Sequence, residues 1–316
     1  MRTRSVILVL AAVLIGGSPT ETQRPLKVLL LYDMEGISEA TSGAWASSRM
    51  PEYAQARVSL TADVNAAIAG LKAAGVAEIV VVDGHGSGNA TEPDVLEDRL
   101  LVPARMISRD APFDVYMDSY DQSFTAIVAI AMHAGAGNSA GFLSHTYSGR
   151  GVGYRVNDLP FNETMILAMG AARLKIPVVA ASGDDELAKE LQRSLPWVQY
   201  ATVKHAVDRT KAEPLARPEI DRRISAAVRA GIEKLAAARL PEVPGPYRFA
   251  VSFRDETAAQ LAAERAGDGF VRDGATVFVQ ATAFDAGYRQ SIRLFGAGVS
   301  TAPPPPGRYW GARIGD

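Results

Sequence analysis

The chain has no cysteine, so no disulfide can brace the fold and any metal must be held through nitrogen and oxygen alone. It has little net charge, −2 over 316 residues. That excludes nucleic acid or an anionic membrane as the main partner, because either needs a basic face. No apolar run reaches the roughly 18 residues of a membrane span. The longest, from about Val6 to Ile15, follows Arg2 and Arg4 and precedes small and polar residues. That is the layout of a secretory signal peptide, expected over residues 1–23, with a periplasmic or secreted address and no stable membrane insertion after its removal. An uncleaved N-terminal anchor is the alternative, since no clean A-x-A triplet marks a cleavage site.

What is present is ordinary for a globular protein: 47% hydrophobic and 22% charged residues, in a chain long enough for one large core or two moderate ones. Leu26–Tyr32 is almost wholly apolar, as for a strand covered on both faces. Helical periodicity runs from Pro51 to about Ala74 and stops at Gly75. Further strands are expected at Glu78–Val82, Leu100–Ser108, Thr125–Met132 and Ile176–Ala181, with a helix over Glu163–Leu174. Strands alternating with helices predict an α/β fold, a mainly parallel sheet flanked by helices. The longest helix signal, Pro218–Leu240, ends at PEVPGP, which sets a boundary between a catalytic domain (24–240) and a smaller α+β C-terminal block (241–300). That block reads as strand Tyr247–Phe253, helix Glu256–Arg265, strand Thr276–Ala283 and helix Asp285–Phe295. A proline-rich tail covers 301–316.

The candidate chemistry sits at strand ends. LKVLLLYDMEG ends in Asp33 and Glu35, AEIVVVDGHG in Asp83 and His85, and TAIVAIAMHAG in His133; NDLPFNETMILA supplies Asp158 and Glu163 across a loop. Ends of parallel strands converge on one edge, so these groups can meet around an ion pair. Taken alone, Asp-x-Glu-Gly is a turn leaving a strand. Two carboxylates there would repel and lose solvation unless a cation neutralised them, and the pattern repeats one strand later. Only four histidines exist, and His85, His133 and His145 all lie in short loops rich in small residues. Imidazole is a common metal ligand and acid–base group. His205, without such companions, reads as structural or surface, and Asp184 and Asp185 as a helix N-cap.

Asp33-Met34-Glu35-Gly36-Ile37-Ser38, Asp83-Gly84-His85-Gly86, His133-Ala134-Gly135, Leu143-Ser144-His145-Thr146, Asn157-Asp158, Glu163 and Ala181-Ser182-Gly183-Asp184-Asp185 occur in an order and spacing that resembles the zinc-dependent D-aminopeptidases of the bacterial dipeptide-transport operon type. The resemblance implies two zinc ions per chain. One would be held by Asp33, Glu35 and His85, the other by a bridging Asp33, His133 and Glu163. It further implies that His145 acts in catalysis, that short peptides are the substrate and that the chain forms a ring-like homo-oligomer. Asn162 stands where the family has glycine. Asp83 is expected to orient His85 rather than bind metal. The expected activity is a dinuclear zinc aminopeptidase on short peptides, with peptidoglycan-derived peptides carrying N-terminal D-amino acids of the D-alanine type as the candidate substrate. A dinuclear phosphoesterase is the alternative enzyme, although the ligand loops carry no arginine or lysine for phosphate. A non-catalytic peptide-binding protein of the envelope is the alternative from another class.

Overall fold

The computed structural model describes residues 25–86, 93–107 and 113–296; the expected signal peptide and proline-rich tail lie outside them. In chain order the first strands and helix are β1 (Lys27–Tyr32), α1 (Tyr53–Ala73), β2 (Glu78–Asp83), β3 (Arg105–Met106) and β4 (Ala126–Met132). A hairpin, β5 (Gly153–Val156) and β6 (Leu159–Pro160), precedes α2 (Glu163–Ala172). Then come β7 (Val178–Asp184), α3 (Asp185–Ser194), β8 (Gln199–Asp208), β9 (Lys211–Pro214) and α4 (Arg217–Glu233). The C-terminal segment holds β10 (Tyr247–Ser252), α5 (Glu256–Ala266), β11 (Val271–Asp273), β12 (Thr276–Ala281) and α6 (Phe284–Ile292).

The large sheet runs β3-β2-β1-β4-β7-β8-β9 and is parallel except for the β8–β9 pair. Its central strands β2, β1, β4 and β7 are largely apolar because both faces are covered. Leu29 and Leu31 enter one core with Val80, Val82, Ile127 and residues of α2. Val28, Leu30 and Tyr32 enter the other, against α1 and α4. Each fully buried leucine stabilises the layer by roughly 1.5–3 kcal/mol. The fold class is as expected.

The second sheet, β11-β12-β10-β5-β6, is antiparallel and is not confined to the C-terminal segment. Its β5–β6 hairpin comes from before α2 and pairs with β10, so the two parts of the chain are knitted together. The third expected strand shrinks to Arg105–Met106, and the longest expected helix stops at Glu233.

The end of β4 is irregular. The β4–β7 pairing shifts register between Ala129 and Met132, and Ala131 adopts a left-handed φ of 59°. Its N–H donates to Ser182 Oγ at 3.0 Å, and its carbonyl accepts from Gly36 N at 2.8 Å. A bulge at a strand end re-aims the next side chain, here His133. Gly36 must be glycine, since a Cβ there would stand 2.0 Å from the Met132 carbonyl oxygen.

Candidate metal centre

Because β1 lies between β2 and β4, Asp33, the Asp83–His85 turn and His133 leave the same edge of the sheet side by side. Glu163 reaches that edge as the first residue of α2, whose N-cap Asn162 accepts the Met165 N–H at 2.8 Å. His145 closes the group from the loop after β4, its ring stacked on His133 with centroids 4.2 Å apart and planes 7° apart.

All six groups meet. His133 Nε2 is 3.4 Å from Asp33 Oδ2 and 3.6 Å from Glu163 Oε2. His85 Nε2 is 3.5 Å from Glu35 Oε1. His145 Nε2 is 3.9 Å from both Glu35 Oε1 and Glu163 Oε1. Asp33, Glu35, His133 and Glu163 are buried. Ligand atoms of Asp33, Glu35 and His133 lie within 4.8 Å of one another, as do those of His133, His145 and Glu163.

The histidines are anchored alike. Nδ1 of His85 meets Asp94 Oδ2 at 3.0 Å, that of His133 meets the Ala134 carbonyl at 2.9 Å, and that of His145 meets the Leu143 carbonyl at 2.8 Å. With Nδ1 turned to an oxygen, Nε2 is the ring nitrogen that faces the carboxylates and is left for a cation. Among the described residues, His133 Nε2 and Glu35 Oε2 are buried with no hydrogen-bond partner. Buried polar atoms are seldom left this way, and a cation between them would satisfy both. The donor set of carboxylate oxygens and imidazole nitrogens suits zinc.

The electrostatics agree. Burial and the charge of Glu35 push Asp33 well above the ordinary carboxylate range. Burial would raise Glu35 too, but His85, His145 and His133 hold it well below that range. Glu163, likewise buried, is drawn down to about 2 by His133, His145 and the Tyr116 hydroxyl. Against their own burial, His85 is raised by Glu35 and Asp94, and His133 by Glu163 and Asp33. With no cation present, protons on the rings balance the acids; a dication would displace them.

Several supports were not legible in the sequence. The Asp94 side chain contacts the His85 ring. Asp83 accepts from the backbone N–H groups of His85, Gly86 and Asp94. Tyr53 donates to Asp94 Oδ1, and Arg57 donates to the carbonyls of Pro93 and Asp94, so α1 holds that loop. Tyr116 donates to Glu163 Oε2 and the Tyr147 N–H to Oε1 at 2.7 Å. Lys204, fully buried on β8, donates to the carbonyls of Glu35 at 2.7 Å and Ile37 at 2.9 Å and lies 4.0 Å above the Phe142 ring. Burial brings its ammonium down to about 7.

Asp158 is not part of the site. Asn157 and Asp158, both at positive φ, form the two-residue loop of the β5–β6 hairpin, and Asp158 pairs with Arg248 at the surface. Asp184 caps α3 through the Leu187 N–H, and His205 is an exposed partner of Asp185.

Tyr116 is itself presented by Asp114, whose Oδ1 accepts from the N–H groups of Tyr116 at 3.0 Å and Met117 at 3.1 Å. Burial raises the Asp114 carboxyl from 3.8 to about 6. The folded state therefore binds this proton more tightly than the unfolded chain. Its stabilising contribution is complete below about pH 4 and is lost as pH rises through about 6. Asparagine keeps the acceptor and cannot ionise. Asp114→Asn is therefore expected to match the wild type near pH 4 and to exceed it by up to about 2–3 kcal/mol at pH 7.5. Thermal unfolding of both proteins across that range checks this, and a gap that stays constant with pH contradicts it.

Three carboxylates and three imidazoles gathered at the C-terminal rim of a parallel sheet form a group that could hold divalent metal ions. The model of the peptidase M55 family, D-aminopeptidase, matches residues 26–290, and the chain belongs to that family of peptide hydrolases. It is 29% identical over 192 residues to the D-aminopeptidase of Bacillus subtilis (strain 168), covering 60% of this chain and 68% of that protein. A solved structure described as zinc-dependent D-aminopeptidase DppA from Bacillus subtilis, a self-compartmentalizing protease, shares the fold. Its TM-score is 0.78 at 24% identity, over 86% of this chain and 97% of that one.

Proposed function

We propose that the chain is a dinuclear zinc aminopeptidase that removes N-terminal residues, D-alanine among them, from short peptides such as peptidoglycan fragments. The observation that carries this reading is the pair of partnerless buried atoms, His133 Nε2 and Glu35 Oε2, inside a ring of carboxylates. Asp33, Glu35 and His85 would hold one ion; Asp33, shared between them, His133 and Glu163 would hold the other. Zinc, when bound, supplies Lewis acidity, polarising a peptide carbonyl and lowering the pKa of water.

The chain's own groups do the rest. The Glu163 carboxylate is locked by Tyr116 and the Tyr147 N–H, and the backbone that carries Glu35 is anchored by Lys204 on its carbonyl. His145, partly open to solvent, has Nε2 poised between Glu35 and Glu163. There it can take a proton from the attacking group and hand it to the leaving amine. Among the described residues the ion pairs of Asp33, Glu35 and Glu163 are all with histidine, which favours a peptide over a phosphate ester.

DppA's description as self-compartmentalizing supports a homo-oligomer, and the N-terminal sequence supports a periplasmic or secreted address. Among the described residues no helix is long and apolar enough to cross a membrane. The test is zinc-reconstituted protein assayed on D-alanyl and L-alanyl dipeptides beside an aryl phosphate. Release of alanine from the D-dipeptide is expected. Turnover of the phosphate alone contradicts the reading, and peptide binding without cleavage favours a binding protein.

A further inference from the structure

We propose that Glu190 on α3 is a positioning residue that fixes His133 and Glu163 relative to each other, so that its loss loosens one metal ion and spares the other. This rests on the reading that those two residues share an ion.

His133 and Glu163 arrive on different elements, the end of β4 and the start of α2, and among the described residues no backbone ladder ties those two points together. Glu190 supplies one side-chain tie, beside Thr146, whose Oγ1 accepts the Ala136 N–H and donates to the Phe161 carbonyl at 2.9 Å each. Glu190 Oε2 accepts the Gly135 N–H at 3.0 Å and Asn162 Nδ2 at 2.8 Å, while Oε1 accepts Asn138 Nδ2 at 2.8 Å. Gly135 lies two residues after His133, and Asn162 immediately precedes Glu163. The segments touch: a Cβ on Gly135 would stand 3.2 Å from Cα and Cβ of Asn162. Among the described residues no lysine or arginine pairs with Glu190. Its charge is spent on these N–H donors, and hydrogen bonds to a carboxylate are the stronger kind.

The network admits only a carboxylate. Asn162 cannot turn its amide round, because its Oδ1 caps α2 through the Met165 N–H. Asn138 is equally fixed, its Oδ1 accepting the N–H groups of Ala140 and Gly141 at 3.1 Å each. Both amides must therefore aim N–H groups at position 190. A glutamine there, of the same size, would set its own NH2 against one of them.

Zinc binding to metal-free protein, measured by competition with a chromophoric chelator, tests the role without reference to activity. Wild type is expected to bind two zinc ions per chain. Glu190→Gln is expected to bind one with unchanged affinity and the other about ten- to a hundredfold more weakly, the usual effect of removing a group that orients a ligand. The metal-free variant is expected to unfold at a somewhat lower temperature, since one donor loses its acceptor, yet to stay folded under the conditions of the titration. In a His85→Ala background, the single remaining ion should be the one that Glu190→Gln weakens.

Asn162→Ser keeps a capping oxygen but loses the donor to Glu190, and it serves should Glu190→Gln not fold. It is expected to weaken the same ion, and the double variant to be no worse than Glu190→Gln alone. Unchanged affinities for both ions, equal weakening of both, or additive effects in the double variant overturn the proposal while two zinc ions still bind to the wild type. A wild type that binds fewer than two refutes the dinuclear reading, and the role of Glu190 with it.

Discussion

Glu35→Ala is expected to bind one zinc ion per chain instead of two and to lose roughly a thousandfold in kcat/KM, about 4 kcal/mol of transition-state stabilisation. Glu35 is buried, its Oε2 has no hydrogen-bond partner among the described residues, and its Oε1 faces both His85 and His145. Alanine therefore removes a ligand and takes away the carboxylate that faces two rings. Its backbone carbonyl still accepts from Lys204, so the loop keeps its anchor and the fold its shape. Metal analysis after gel filtration, with unfolding monitored in parallel, gives the count. Two zinc ions held at wild-type affinity would remove Glu35 from the ligand set. A glutamine at the same position separates charge from volume and is expected to behave like alanine.

His145→Ala should give the opposite pattern: two zinc ions retained, KM little changed and kcat down by about 10²- to 10⁴-fold, the range of a positioned acid–base group. The ring rests on His133 rather than on the backbone of another element, so its removal leaves the remaining ligands in place. The geometry makes this a demanding test. The ligand atoms of His145, His133 and Glu163 lie within 4.8 Å of one another, close enough for His145 to bind metal itself. If His145→Ala loses zinc in step with activity, His145 is a ligand and the proton-transfer role fails.

The strands that carry the site were legible because each is buried on both faces and so reads as an unbroken apolar run ending in a carboxylate or imidazole. The cap of α3 was legible for a local reason: Asp184 bonds to an N–H three residues on, while Asp185 instead accepts the Ala206 N–H and pairs with His205. What stayed hidden depends on distant pairing. The strand Gly153–Val156 is four residues long and gains its partner from β10, far along the chain. Lys204 has the composition of a surface residue, yet it is buried because three backbone carbonyls of the Glu35–Ala40 turn converge on it. Asp94 and Tyr116 follow no strand-end pattern; folding alone brings them to His85 and Glu163. Asp158 misled for the converse reason, since an acidic residue in a tight two-residue loop has a conformational role that resembles a ligand position in sequence.

On the proposed reading Asp33 would be shared by two ions, one also held by Glu35 and His85, the other also by His133 and Glu163. An anomalous-difference map recorded at the zinc edge from crystals of zinc-loaded protein tests it most directly. Two peaks flanking the Asp33 carboxylate are the expected result; a single peak, or none at this rim of the sheet, contradicts it.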